Sequence, residues 1–166
     1  MLYLDACAAV KRYVDEADGA TAIMEQVMVD TGQWGGVVSS GWLTLEFTSA
    51  LTRKLRGGHL AGSVYSDLLF RFRSDMDAMY LVPVDNAAVE AATYLMEQVR
   101  GVARFHSGDA LHLHTTLQLR SDLADSDTLV LVTADDGLKA VAASHNVCVF
   151  DPRSDRIRDL ESLFGA

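Results

Sequence analysis

Only two cysteines stand among the 166 residues, Cys7 and Cys148. Both lie in apolar surroundings, with no CxxC spacing and no accompanying metal motif. That pattern excludes a disulfide framework and a zinc knuckle, and two buried thiols in a reducing compartment are expected. No run of residues approaches the ~18 uninterrupted apolar positions of a membrane span, and Asp5 interrupts the N-terminal stretch where a secretory signal would be apolar. A soluble, cytoplasmic protein with no membrane contact is the expectation. Basic residues are scarce as well: 14 Lys and Arg oppose 23 Asp and Glu, for a formal charge of -9. A broad basic grip on nucleic acid is thereby excluded, because such binding draws on many Lys and Arg contacts to phosphate. A polyanionic partner then needs local help, from the small clusters Lys11-Arg12 and Arg53-Lys54-Arg56 or from metal ions that neutralise acidic side chains. There is no Walker loop, GxGxxG or GxSxG, which leaves nucleotide-fuelled, dinucleotide-dependent and serine-hydrolase functions without support. Neither an internal repeat nor a linker long enough to separate two units occurs, so residues 1–166 read as one domain.

What the chain does contain is an alternation of short apolar runs and longer helical segments, the pattern of an α/β protein in three α/β/α layers. Strands are expected near Leu2–Asp5, Val37–Ser40, Leu129–Thr133 and Val147–Phe150, with a shorter one at Leu81–Val84. That gives a central, mainly parallel sheet of four or five strands. Helices are expected over Ala20–Val29, over "GWLTLEFTSALTRKLRGG" up to Gly57-Gly58, and over Ala61–Met79. Three more follow: one from a cap at Asn86 to Gly101, one over Ala110–Arg120 and one over Gly137–Ser144. The stretch "VMVDTGQWGGVV" carries no assignable feature.

In open parallel sheets the working groups gather beyond the carboxyl ends of the strands. Asp5 closes "LYLD" and Asp135, followed by Asp136, closes "LVLVTADD". Asp109 opens the helix "DALHLHTTLQLR", and Glu46 sits inside the apolar helix "WLTLEFTSAL". Each aspartate competes with a plainer role, since an Asp at a helix start satisfies free N–H groups without any chemistry. Glu46 has no such role. Its neighbours one turn away are Trp42, Leu43, Ser49 and Ala50, so no cation on its own helix face neutralises it, and burial among them would call for an outside positive charge. Three or four carboxylates with open positions suit Mg²⁺ or Mn²⁺, which activate water and stabilise the charge that develops on a phosphodiester. His106, His112 and His114 flank Asp109 but lack zinc-binding spacing, and structural roles are expected of them. Cys7 has no nearby base and is expected to be a structural thiol. The basic residues Arg53, Lys54 and Arg56 are as well explained by a solvated helix end as by contact with an RNA backbone, and the same holds for Lys11 and Arg12.

With these residues assembled, the sequence resembles the PIN-domain family, and within it the VapC-like toxin ribonucleases of toxin–antitoxin modules. The likeness is carried by "YLDACAAVKRYV", "VVSSGWLTLEFTSALTRK", "SGDALHLHTTLQL" and "LVTADDGLKAVAASHNVCVF", in that order over nearly the whole chain. The resemblance implies that Asp5, Glu46, Asp109 and Asp135 are metal-binding, catalytic carboxylates for Mg²⁺ or Mn²⁺. It gives Thr133 the family's hydroxyl two residues before the last acid, able to bond a carboxylate or a water on the metal. The "T-A-D" spacing favours Asp135 over Asp136. The family often has Ser or Thr just after the first acid, where this chain has Ala6 and Cys7. Implied with the family are an RNA substrate, a cognate antitoxin and a homodimer. Two other readings use the same residues: a PIN-like nuclease acting in RNA processing or on flap DNA outside a toxin module, and a catalytically silent, partner-binding domain whose acids only cap helices.

Overall fold

The computed structural model describes residues 1–124 and 126–165. Five short strands, β1 Leu2–Leu4, β2 Val37–Ser40, β3 Tyr80–Val82, β4 Val130–Val132 and β5 Cys148–Phe150, form one sheet in the order β3-β2-β1-β4-β5. Every neighbouring pair is parallel, with Leu2 opposite both Val37 and Val130. Parallel pairing requires a crossover between strands, and helices supply each one. They are α1 Ala6–Tyr13, α2 Ala20–Val29, α3 Leu43–Arg56, α4 Gly62–Met76, α5 Asn86–Gln98, α6 Ser107–Asp122 and α7 Asp136–Ser144, with α8 Ile157–Leu163 after the last strand.

The layering follows from the two-residue period of a strand. Leu2, Leu4, Val130 and Val132 enter one apolar cluster with residues of α1 to α4 and α8, while Tyr3, Val38, Leu129 and Leu131 enter a second with residues of α5, α6 and α7. The sheet is thus buried on both faces, which explains why its strands read as continuous apolar runs. From β1 the chain first builds outward through β2 and β3, then returns past the other side of β1 to lay down β4 and β5. Such a reversal opens a crevice at the carboxyl ends of β1 and β4, the two strands that end in Asp5 and Asp135.

Several local expectations are corrected. Helix α8 was not legible in the sequence, and α1 was given no bounds there, although Asp5 was a candidate helix start and Lys11-Arg12 a candidate helix end. Asp85, not Asn86, caps α5, its side chain accepting from Ala88 N at 2.8 Å. Both cysteines are exposed, not buried: α1 turns Ala8, Ala9 and Val10 inward and leaves Cys7 outward, and Cys148 begins the edge strand β5. Lys11, for which a solvated helix end and a backbone phosphate contact were both open, is buried and bound to Glu16 at 2.6 Å and to Asp18. The unassigned stretch before β2 forms a 3₁₀ turn at Thr31–Trp34, where the buried indole of Trp34 donates to Val27 O at 3.0 Å. Among the described residues no helix is long and apolar enough to cross a membrane.

Candidate functional site

A cleft of about 930 Å³ opens over the carboxyl ends of the strands, and Glu46, Asp109 and Asp135 line it together with Cys7, Trp42 and Arg153. Asp5 lies beneath, 2% exposed. The fold brings the four acids expected from the sequence to one place from four separate segments.

Local backbone explains how each aspartate is held. Asp5 caps α1, its Oδ1 accepting from Ala8 N at 2.7 Å, and Asp135 caps α7, its Oδ1 accepting from Leu138 N at 2.8 Å. Asp109 is the third residue of α6, and its Oδ2 accepts from His106 N at 2.6 Å. The capping role therefore holds for these acids, but it occupies only one oxygen of each. The Thr133 hydroxyl uses the second oxygen of Asp5, donating to Oδ2 at 2.7 Å while accepting from Asp135 N at 3.0 Å. This hydroxyl ties the end of β1 to the end of β4. Asp109 Oδ1 and Asp135 Oδ2 have no hydrogen-bond partner among the described residues. Asp136 is engaged elsewhere, by Lys139 at 2.9 Å and Arg153 at 2.8 Å.

Glu46 is only partly buried, and it meets a partner from outside its own helix face. Its side chain is 27% exposed, and Oε2 meets Nε2 of His112, itself 2% exposed, at 2.7 Å. The partner comes from α6, in the opposite helical layer, so inspection of the Glu46 helix alone misses it. His112 is a buried histidine as expected, but it serves the site; the available signal was its position three residues after Asp109, on the same helix face. Behind it, Nδ1 lies 2.9 Å from the Tyr3 hydroxyl, which accepts from Ser40 N at 3.1 Å.

Crowded carboxylates show the expected strain. Burial pushes the Asp5 carboxyl up to about 6, with His112, Ala8 N and Thr133 offsetting part of the cost and Asp135 adding to it. Burial likewise raises Asp109 to about 6, against the bond from His106, and Asp135, Asp5 and Glu46 repel it further. For His112, burial works downward, but Tyr3, Glu46 and Asp5 outweigh it and hold the imidazole up at about 10. The Cys7 sulfur is flanked by protein although its residue reaches the surface; that partial desolvation, with the field of the four acids, keeps its thiol proton well above the ordinary range.

The cleft's cations are mostly spent. Lys11 and Lys54 share Glu16, and Arg153 binds Asp151 and Asp136. Arg53 bonds only the Ser49 hydroxyl, at 3.0 Å, among the described residues.

As they stand, no three acid, histidine or cysteine side chains among the described residues are arranged to hold an ion. Asp5 is turned to Thr133 and Glu46 to His112. The donor set nonetheless fits a hard divalent cation: three carboxylates on the cleft wall each keep an oxygen without a hydrogen bond, and oxygen donors are what Mg²⁺ and Mn²⁺ select.

Two glycines show how tightly the walls are set. A Cβ on Gly108 would lie 1.8 Å from Glu46 Oε1, whereas a Cβ on Gly137 would lie 2.1 Å from the Arg104 carbonyl oxygen. A carboxylate end swings aside and a backbone does not. Gly137→Ala is therefore expected to cost about 3 kcal/mol in urea unfolding. Gly108→Ala should cost less, about 1.5 kcal/mol for the charge-assisted bond lost as Glu46 is dislodged from His112. Equal losses of stability in the two variants would contradict this difference between the walls.

No family model matches the chain, and no curated protein does. Among solved structures, the crystal structure of FitAcB from Neisseria gonorrhoeae is similar, with a TM-score of 0.60 and 17% identity across 93% of this chain and 100% of that one. At that identity the likeness is one of fold: a PIN-like, three-layer α/β/α arrangement.

Proposed function

We propose that this chain is a metal-dependent endoribonuclease in which Asp5, Glu46, Asp109 and Asp135 hold one or two Mg²⁺ or Mn²⁺ ions. The observation that carries the reading is the convergence at a sheet switch point of acids from four segments, two of them raised to about 6 by burial and mutual repulsion. Carboxylates gathered at such cost are relieved by a cation. Bound there, the ion would lower the pKa of a water and stabilise the charge on an in-line phosphodiester displacement.

The chain's own residues supply the rest. Thr133 keeps Asp5 aligned under the cleft and fixes the backbone entry to Asp135. Arg53, without a carboxylate partner among the described residues, is available to a phosphate oxygen of the substrate. A loaded acidic pocket attracts phosphate even though the molecule as a whole is negative. Toxin activity, a cognate antitoxin, a homodimer and a cytoplasmic setting extend this proposal through the family resemblance, which the shared PIN-like fold supports.

The silent, partner-binding reading draws on the capping bonds of the aspartates and on the absence, among the described residues, of a preformed ion cluster. Incubating mixed RNAs with the protein in Mn²⁺ and in EDTA separates the two. Cleavage that leaves 5′-phosphate ends in Mn²⁺ and stops in EDTA is expected. Intact RNA and an unchanged melting temperature at every Mn²⁺ concentration would favour the silent domain.

A further inference from the structure

Glu46 differs from the other three acids in how it is held. Asp5, Asp109 and Asp135 each lean on a backbone N–H at a helix start, a bond that comes with the fold. Glu46 lies further into α3, where its own N–H already donates to Trp42 O at 3.2 Å, and among the described residues no backbone group donates to its carboxylate. Its one hydrogen bond among the described residues is the 2.7 Å contact with His112 Nε2.

We propose that His112 is the positioning residue of the acidic cleft, holding Glu46 through Nε2–H while Tyr3 and Ser40 fix the imidazole from behind. The inference rests on the metal-site reading given above. Ser40 N–H donates to the Tyr3 oxygen, which lies 2.9 Å from Nδ1 and so ties the ring to β2. A carboxylate can only accept, so Nε2 carries the proton that Glu46 receives. An edge-on approach of the Tyr3 ring, 5.7 Å between centroids and 78° between planes, limits rotation of the imidazole. Glu46 is confined from the other side as well, because Oε1 occupies the space a side chain at position 108 would take. One oxygen is thus fixed to the buried imidazole and the other is left for a ligand. His112 itself does not line the cleft. It acts through Glu46, and by joining α3 to α6 it also fixes the distance between Glu46 and Asp109.

Groups that orient a metal ligand typically change affinity by about 10–100-fold when removed. His112→Leu fills a similar volume without a donor, whereas the His112→Gln amide can still donate to Glu46. The expected result for Mn²⁺ binding followed by electron paramagnetic resonance is a loss of at least about tenfold in affinity for His112→Leu and recovery to within about threefold in His112→Gln. Melting without metal should show both variants folded. A second readout needs no variant: the side-chain ¹H–¹⁵N signal of His112 Nε2–H in the wild type should shift on adding Mg²⁺. Wild-type affinity in His112→Leu, or an unmoved Nε2–H signal at saturating Mg²⁺, would overturn the positioning role while leaving the metal site standing. Failure of the wild type to bind Mn²⁺ at all would instead remove the metal site, and this role with it. Should His112→Leu not fold, the Mg²⁺-induced shift decides alone.

Discussion

Asp5→Asn is expected to abolish RNA cleavage while making the metal-free protein more stable. At pH 7 the buried Asp5 carboxylate is ionised although its folded pKa stands near 6 against an ordinary 3.8, a penalty of roughly 3 kcal/mol at 1.36 kcal/mol per pKa unit. Asparagine removes that penalty and keeps the oxygen that accepts from Ala8 N. Its amide must then face the Thr133 hydroxyl, whose buried proton is left without an acceptor at a cost of about 1.5 kcal/mol. A net gain of about 1–2 kcal/mol at pH 7 remains. It should vanish below about pH 4, where the wild-type carboxyl is itself protonated. Cleavage in Mn²⁺ should fall more than about a hundredfold, beyond the usual effect of losing an outer-shell partner. Urea unfolding at pH 7 and pH 3.5 beside a cleavage assay reads both halves. Retained cleavage, or a pH-independent loss of stability, would show that Asp5 is only a cap.

Metal-free protein should lose stability between about pH 5 and pH 6.5, and Mn²⁺ should bind more tightly over the same interval. Because Asp5 and Asp109 have folded pKa values raised to about 6, the folded chain carries more protons than the unfolded one in this window, and stability falls as pH rises. The opposing carboxylates, Glu16, Asp18 and Asp151, are depressed in the fold, so their contribution is present above their ordinary values of 4.5, 3.8 and 3.8 and is lost only in stronger acid. His112, raised in the fold, holds its full contribution below its ordinary 6.5. The interval therefore isolates the two cleft acids. Ion binding must displace their protons, so Mn²⁺ affinity should rise by about tenfold per carboxyl between pH 5 and pH 7. Melting curves with and without Mn²⁺ across that range test it. Stability that climbs with pH, or a metal shift of constant size, would mean that these acids are not the ligands.

How the sequence declared the site, and where it fell silent, has a physical pattern. Strands buried on both faces announce themselves as apolar runs, so four of the five were visible at nearly their full extent, and the acid after β1 and after β4 stood out against them. The edge strand β3 lies one to two residues earlier than its pattern suggested, Tyr80–Val82 rather than Leu81–Val84. α1 showed only its ends, the candidate cap Asp5 and the basic pair Lys11-Arg12, because its eight residues are too few to display a period. α8 spans seven residues, too few to show a period. Parallel topology made the convergence of Asp5 and Asp135 inferable, since both strands end at the same edge. What no local window contains is a partner from another layer. The bond from His112 to Glu46, and the space that Gly108 vacates for that carboxylate, arise only when α3 and α6 meet over the sheet. The two exposed cysteines were misjudged for the same reason: neighbouring apolar residues report an average environment, whereas a helix turns each side chain in its own direction.

Counting bound Mn²⁺ at pH 7 in the wild type, Asp5→Asn, Asp109→Asn and Asp136→Asn tests most directly whether the four acids share a cation. Asp136 makes the necessary control, adjacent in sequence to Asp135 but committed to Lys139 and Arg153. One or two ions per wild-type chain, loss in the two cleft variants and retention in Asp136→Asn are expected. An empty wild type, or an Asp136→Asn variant as impaired as the other two, would contradict a metal centre built from Asp5, Glu46, Asp109 and Asp135.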